Sequence, residues 1–189
     1  NNLKNINQAF ADCDIEVERL ISCTFALGAK LLNDKELKFG SALIDIGLEK
    51  ISLGLFKNLA IVNSMTLPIG INHITKDISK VCSLNLEEST VIRNNIDLSF
   101  KKTNNIFDEN DFLKDIYFVN SNYRKISKTL ILNIIKARLN EIFEIIKKQI
   151  FITGYNSTLE LSFILTGEGS NLYNLEKYCT DFFDSNIKI

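Results

Sequence analysis

Three groups of residues have types and spacing that could do chemistry. The first is Asp45-Ile46-Gly47, read as the corner between two β-strands, with a carboxylate beside a glycine that lets the backbone approach an anion closely. The second is Gly167-Glu168-Gly169-Ser170, a glycine loop that follows an apolar strand and opens a helix. Such a loop suits the flat approach of a base or ribose, and its helix start can take an anion; a plain strand-to-helix turn has the same requirements. The third is Lys128, Lys136 and Arg138, placed beside an isoleucine stripe. A basic, partly apolar face can receive a short peptide with acidic and hydrophobic residues, or be the charged outer face of an ordinary amphipathic helix. His73 is the sole histidine. With no second imidazole or cysteine near it, a hydrogen bond at a helix start is expected rather than metal binding or acid–base work. No Ser-His-Asp arrangement, HExxH or Walker lysine motif is present.

The elements that must position these groups follow from periodicity. Residues 39–56 read as two strands with the turn at Asp45-Ile46-Gly47, and a third strand at 59–67 ends at Pro68, which cannot donate to a ladder. Helices are expected at 3–11, at 25–32 with Thr24 as its cap, at 72–81 and at 86–93, the last capped by Asn85 with Glu87 and Glu88 in its first turn. Residues 15–22 alternate as a strand would, and 33–36 read as a charged turn. Short strands are expected at 96–100 and 116–118, around a polar, mobile loop at 101–111. Ile131, Ile134, Ile135, Leu139, Ile142, Ile146 and Ile150 share one face of a helix over 127–150. A continuous apolar strand at 159–165, the glycine loop, a helix through Cys179 and a last strand at 186–189 complete the chain.

With residues 83–155 set aside as an insert, the remaining order is meander, helix, strand, helix, strand. That order predicts an α/β, ribonuclease-H-like subdomain carrying a smaller inserted α+β subdomain.

At 189 residues and 46% hydrophobic, the chain has enough apolar surface for one domain or two small ones. A net charge of −1 gives no global field for nucleic acid or an acidic membrane, so any charged partner must meet a local patch. Four scattered cysteines without CxxC spacing read as buried, reduced thiols. There is no apolar run near the roughly 20 residues a membrane span needs, and no basic-then-apolar leader, so a cytoplasmic chain is expected. The start at Asn1 without a methionine is read as that of a fragment, and the heavy use of Ile, Asn, Lys and Phe as drift in an AT-rich genome.

The segments ELKFGSALIDIGLEKISLGLFKN (36–58) and LPIGINHITKDISKVCSLNLEEST (67–90) resemble the bacterial cell-division protein FtsA family. Gly70-Ile71-Asn72-His73-Ile74-Thr75-Lys76-Asp77-Ile78 is the most specific part. The likeness continues through RKISKTLILNIIKARLNEIFEII (124–146) and SFILTGEGSNLYNLEKY (162–178), with residues 95–123 the weakest stretch. It implies an actin-like ATPase fold. Residues 1–33 would be the tail of the first domain with its connecting helix. Residues 34–82 and 156–189 would be subdomain IIA, and 83–155 the inserted subdomain IIB.

The same resemblance implies ATP and Mg in the full-length family, with Asp45, Gly47, Arg93, Gly167, Gly169 and Ser170 as the matching positions. The helix bearing Thr90 and Arg93 is the one that touches sugar and base in that family; its acidic residue falls on Thr90 and its lysine on Arg93. Where the family continues Gly-Gly-Gly-Thr-Thr-Asp, this chain has Gly47-Leu48-Glu49-Lys50-Ile51-Ser52. That departure counts against family-style phosphate binding and hydrolysis, although Lys50 could compensate for the Glu49 charge. No catalytic residue is assigned. As partners the resemblance implies the C-terminal tail of the tubulin-like protein FtsZ, at Arg138 with Lys136 and Lys128, self-association into actin-like filaments, and other division proteins. It implies a place at the inner face of the cell membrane at the division site, through a C-terminal helix not in this chain. A nucleotide-hydrolysing actin/Hsp70-fold ATPase and a pilus-assembly actin-like scaffold are the alternatives.

Overall fold

The computed structural model describes residues 2–99, 106–155 and 158–189. Its centre is a five-stranded sheet in the order β3-β2-β1-β4-β5. Strands β1 (Ser41–Ile46), β2 (Ile51–Lys57) and β3 (Ala60–Leu67) form an antiparallel meander. Strands β4 (Ser162–Thr166) and β5 (Ile187–Lys188) join parallel to it, β4 beside β1. Because side chains alternate across a strand, β1 sends Ala42, Ile44 and Ile46 to one face and Leu43 to the other. Strand β4 does the same with Phe163 and Leu165 against Ile164.

The smaller face is covered by α2 (Cys23–Leu31), with Leu32, Leu43, Phe56 and Ile164 buried beneath it. Gly28 lets α2 lie on the Phe56 ring, since a Cβ there would stand 2.2 Å from it. The other face shares one buried core with α4 (Ile71–Cys82), α5 (Leu86–Asn95), α6 (Lys128–Ile152) and α7 (Leu175–Phe183). One continuous buried cluster runs from the sheet through α4 and α7 into α5 and α6.

Several elements differ from the sequence expectation, each for a local reason. The turn of the first hairpin is Gly47–Lys50, and Asp45 lies inside β1, paired with Ser52 and Thr166. Residues 33–36 open a helix, α3 (Asp34–Phe39), through a reciprocal capping box in which Asn33 Oδ1 accepts from the Glu36 amide and Glu36 Oε2 from the Asn33 amide. Residues 15–22 form no ladder, and Ile15, Leu20 and Ile21 are exposed: among the described residues no strand lies alongside to complete their hydrogen bonds. Helix α1 (Asn2–Ala11) forms as expected but buries none of its side chains.

Among the described residues 96–99, strand character is reduced to one bridge, Asp97 to Tyr173, and 116 and 117 fall in a 3-10 turn, Asp115–Tyr117, that ends at Phe118. Phe100 and residues 101–105 of the expected loop lie outside the described residues, as do 156 and 157. Thr158–Glu160 is also a 3-10 turn, so β4 starts only at Ser162. After the glycine loop a further 3-10 turn, Glu168–Asn171, precedes α7. Of the cysteines, Cys82 and Cys179 are buried, with burial pushing the Cys179 thiol up to about 12, while Cys13 and Cys23 are exposed.

Candidate functional site

A cavity of about 450 Å³ opens where the end of α5 meets the start of α4 and the glycine loop. Its walls are Ile71, Arg93, Asn94, Glu168, Asn171, Leu172 and Tyr173. Arg93 comes from the last turn of α5 and is 3% exposed. Its Nη1 donates to Thr75 Oγ1 (2.9 Å) and Asn72 Oδ1 (3.2 Å), and Nε and Nη2 both donate to Asn94 Oδ1. All these acceptors are neutral. Among the described residues the guanidinium has no ion pair, so burial pulls its pKa down while the nearby Glu168 charge works against that pull. A buried cation beside an open cavity, held by neutral oxygens, is suited to an anionic or oxygen-rich ligand.

The glycines around this cavity are set by the protein's own packing. Gly167 has φ +86°, and a Cβ on it would stand 2.4 Å from Asp45 Oδ1 and 2.7 Å from the Ile46 carbonyl oxygen. A Cβ on Gly169 would meet the Ile46 side chain at 2.2 Å. The glycine loop therefore lies directly on the end of β1, which brings Asp45, Gly167, Gly169 and the buried Ser170 to one corner. Ser170 Oγ donates to the Gly167 carbonyl (2.7 Å), closing the loop on itself. His73 accepts from the Gly70 amide at Nδ1 (3.2 Å), a hydrogen bond at the start of α4.

The hairpin turn is joined to the same cavity. The Ile71 and Asn72 amides donate to the carbonyls of Gly47 (3.0 Å) and Leu48 (2.9 Å). Asn72 Nδ2 donates to Glu49 Oε1 (2.7 Å), and Lys76 Nζ lies 3.4 Å from Glu49 Oε2. The Asn72 hydrogen bond, first of all, holds the Glu49 pKa below the ordinary carboxylate range; desolvation opposes it, and Lys76 adds a further downward pull. Asn72 thus bridges Arg93 and Glu49. Its place in the Gly70-to-Ile78 motif was visible in the sequence, but its role as a bridge required the fold.

The three basic residues of α6 point to different neighbours. Arg138 reaches α4, where Nε and Nη2 grip Asp77 at 2.7 and 3.0 Å, and its Nη1 donates to Glu141 (2.5 Å). The Asp77 hydrogen bond is the main reason its pKa is raised. Lys136 lies over the Tyr178 ring of α7, 5.5 Å from its centroid, and burial lowers its pKa. Lys128 is buried at the start of α6, with Nζ 3.6 Å from Asp111. Only Arg138 of the three combines a fixed guanidinium plane with partial exposure, at 24% for its side chain.

Among the described residues no group of three His, Cys, Asp or Glu side chains comes together as a metal cage would require. Arg93 and Glu168 are the charged walls of the cavity. The hairpin turn does not fit a polyphosphate in the family manner: a Cβ on Gly70 would stand 2.4 Å from the Leu48 carbonyl oxygen, so turn and helix are already in contact.

A meander and parallel strands under two pairs of helices, with a cleft at the glycine loop, define an actin-like α/β fold. Solved structures agree. MreB5 of Spiroplasma citri bound to AMPPNP superposes with TM-score 0.64 at 24% identity, covering 87% of this chain and 51% of that one. The PilM–PilN type IV pilus biogenesis complex gives TM-score 0.64 at 18% identity, over 98% of this chain and 46% of that one.

In sequence, the family model "Cell division protein FtsA" matches residues 42–189, and the chain belongs to that family. It is 28% identical to the FtsA of Buchnera aphidicola from Schizaphis graminum over 100% of this chain and 46% of that protein. It is 25% identical to the FtsA of Bacillus subtilis over 99% of this chain and 42% of that protein. The chain spans less than half the length of these relatives. No helix among the described residues is long and apolar enough to cross a membrane.

Proposed function

We propose that this chain is a binding module of a cell-division adaptor: it receives the FtsZ C-terminal tail, self-associates as an actin-like protein, and in the full-length protein helps hold the FtsZ ring at the membrane. The observation that carries the peptide site is the Arg138 fork. Asp77 fixes the plane of the guanidinium from α4, while Glu141, one turn along α6, is half-exposed and holds only Nη1. An incoming peptide carboxylate can replace Glu141 without disturbing Asp77, because an Arg fork offers paired donors in a fixed geometry.

The test is titration of a synthetic FtsZ tail peptide into the full-length protein by calorimetry. Arg138→Ala is expected to weaken binding about tenfold or more, as loss of a charge-assisted contact does. Glu141→Gln is expected to strengthen it, since the internal competitor is removed. Arg138→Ala also releases Asp77, so a thermal melt is run beside it; loss of the partly exposed pair costs about 1–2 kcal/mol of stability. Absence of peptide binding to all three proteins overturns the site.

Arg93, buried and without an ion pair among the described residues, favours a second ligand, an adenine nucleotide in the cavity. Asp45, Gly47, Arg93, Gly167, Gly169 and Ser170 are the residues of this chain that would face it and its Mg. The bound nucleotide would act as a structural or switching ligand; no group on this chain is assigned to hydrolysis.

A further inference from the structure

The family's expected polyphosphate and the observed hairpin turn disagree, and the disagreement has a residue at its centre. We infer that Glu49 is a specificity residue of the cleft: an internal carboxylate that locks the β1–β2 turn onto α4 and makes the site favour a nucleoside or its diphosphate over the triphosphate. The inference rests on the reading of the Arg93 cavity as a nucleoside site.

Three observations carry it. The start of a helix offers amides to an anion, yet here the Ile71 and Asn72 amides are already spent on the Gly47 and Leu48 carbonyls. The turn rests on Gly70 with no room between them, because even a methyl group there would overlap the Leu48 carbonyl. The third is the chain of contacts from turn to cavity: Lys76 to Glu49, Glu49 to Asn72 at 2.7 Å, and Asn72 to Arg93 at 3.2 Å. Glu49 therefore takes up the Asn72 side-chain amide and the Lys76 ammonium beside the turn. A ligand that ends at Arg93 leaves the chain intact. A ligand whose terminal phosphate reaches the turn must break it and face the Glu49 charge.

Like charges a few ångströms apart at a partly screened surface oppose binding by roughly tenfold, and salt reduces the effect. Glu49→Gln keeps the shape and a hydrogen-bond acceptor for Asn72 but removes the charge. Adenosine, ADP and ATP, each with Mg, are titrated calorimetrically into the full-length protein and this variant at two ionic strengths. The wild type is expected to bind ADP about tenfold more tightly than ATP, with the gap narrowing in high salt. The variant is expected to gain about tenfold for ATP and to leave adenosine and ADP unchanged. The Glu49 side chain is largely exposed, so both proteins should melt together; Glu49→Ala is the second variant. An ADP-to-ATP ratio equal in wild type and variants overturns the Glu49 role and leaves the cleft reading standing. Failure of all three ligands to bind any of the proteins overturns both.

Discussion

Truncating Phe143 to alanine is expected to cost about 4 kcal/mol, because a fully buried phenylalanine leaves both a transfer loss and a cavity behind. Phe143 sits on α6 with no exposure, and its ring centroid is 5.3 Å from Phe183, 5.4 Å from Phe182 and 6.4 Å from Tyr178, all on α7. Phe183 in turn stacks on Phe163 of β4 at 4.6 Å. The ring is thus the joint through which the isoleucine-striped helix is bound to the sheet. A loss of that size is a large part of the stability of an ordinary domain and should lower the melting temperature by about 8–16 °C. Phe143→Leu, which fills most of the volume, should lose only about 1–2 kcal/mol. A midpoint for Phe143→Ala within a degree or two of wild type would mean that α6 and the sheet do not share one core.

That joint explains what could be read from the sequence and what could not. The isoleucine spacing of α6 announces an apolar face at once, and the alternation in β2 and the continuous run in β4 announce the sheet, because period and burial are local signals. The partner of each face is not local. Phe182 and Phe183 are consecutive residues that meet Phe143 across 39 and 40 positions of chain, a distance no periodicity encodes.

The site follows the same division. The glycines of 167–170 mark a tight loop in the sequence, whereas the reason for them, the Asp45 carboxylate and the Ile46 backbone, belongs to a strand more than a hundred residues earlier. Residues 15–22 show the converse failure: their alternation is a true strand pattern, but an alternating segment becomes a strand only where another strand supplies its hydrogen bonds. The α3 capping box is itself a local signal, since Asn33 and Glu36 stand at the right spacing within what reads as a polar turn. The basic side chains of α6 look like one patch when counted along the chain, and their three different partners separate them in space.

Replacing Glu88 by alanine is expected to cost about 3 kcal/mol, the loss that follows when a buried carboxylate leaves its hydrogen-bond donors unpaired. Glu88 is 3% exposed and accepts from four donors: the amides of Asn85, Asn120 and Ser121, and the Ser121 hydroxyl at 2.6 Å. Its Oε2 caps α5 at the Asn85 amide and also takes the Ser121 hydroxyl, while Oε1 takes the Asn120 and Ser121 amides, fastening the segment that leads to α6. Burial by itself would raise its pKa; the hydrogen bonds from Ser121, Asn120 and Asn85 outweigh burial and hold the carboxyl at about 2, against an ordinary 4.5. A folded-state pKa below the unfolded one means that the unfolded chain binds the proton more readily. The contribution is therefore complete above about pH 4.5, fades as the pH falls toward 2, and is gone below that. Urea denaturation of the wild type and of Glu88→Gln, followed from pH 7 to pH 2.5, should show the gap between them constant down to about pH 4.5 and closing below it. Hydrogen exchange locates the loss: the Asn120 and Ser121 amides should lose protection in Glu88→Gln at pH 7 while the amides of β1 keep theirs. A gap that stays constant through the acid range would assign the stabilisation to packing of the side chain instead of to its charge.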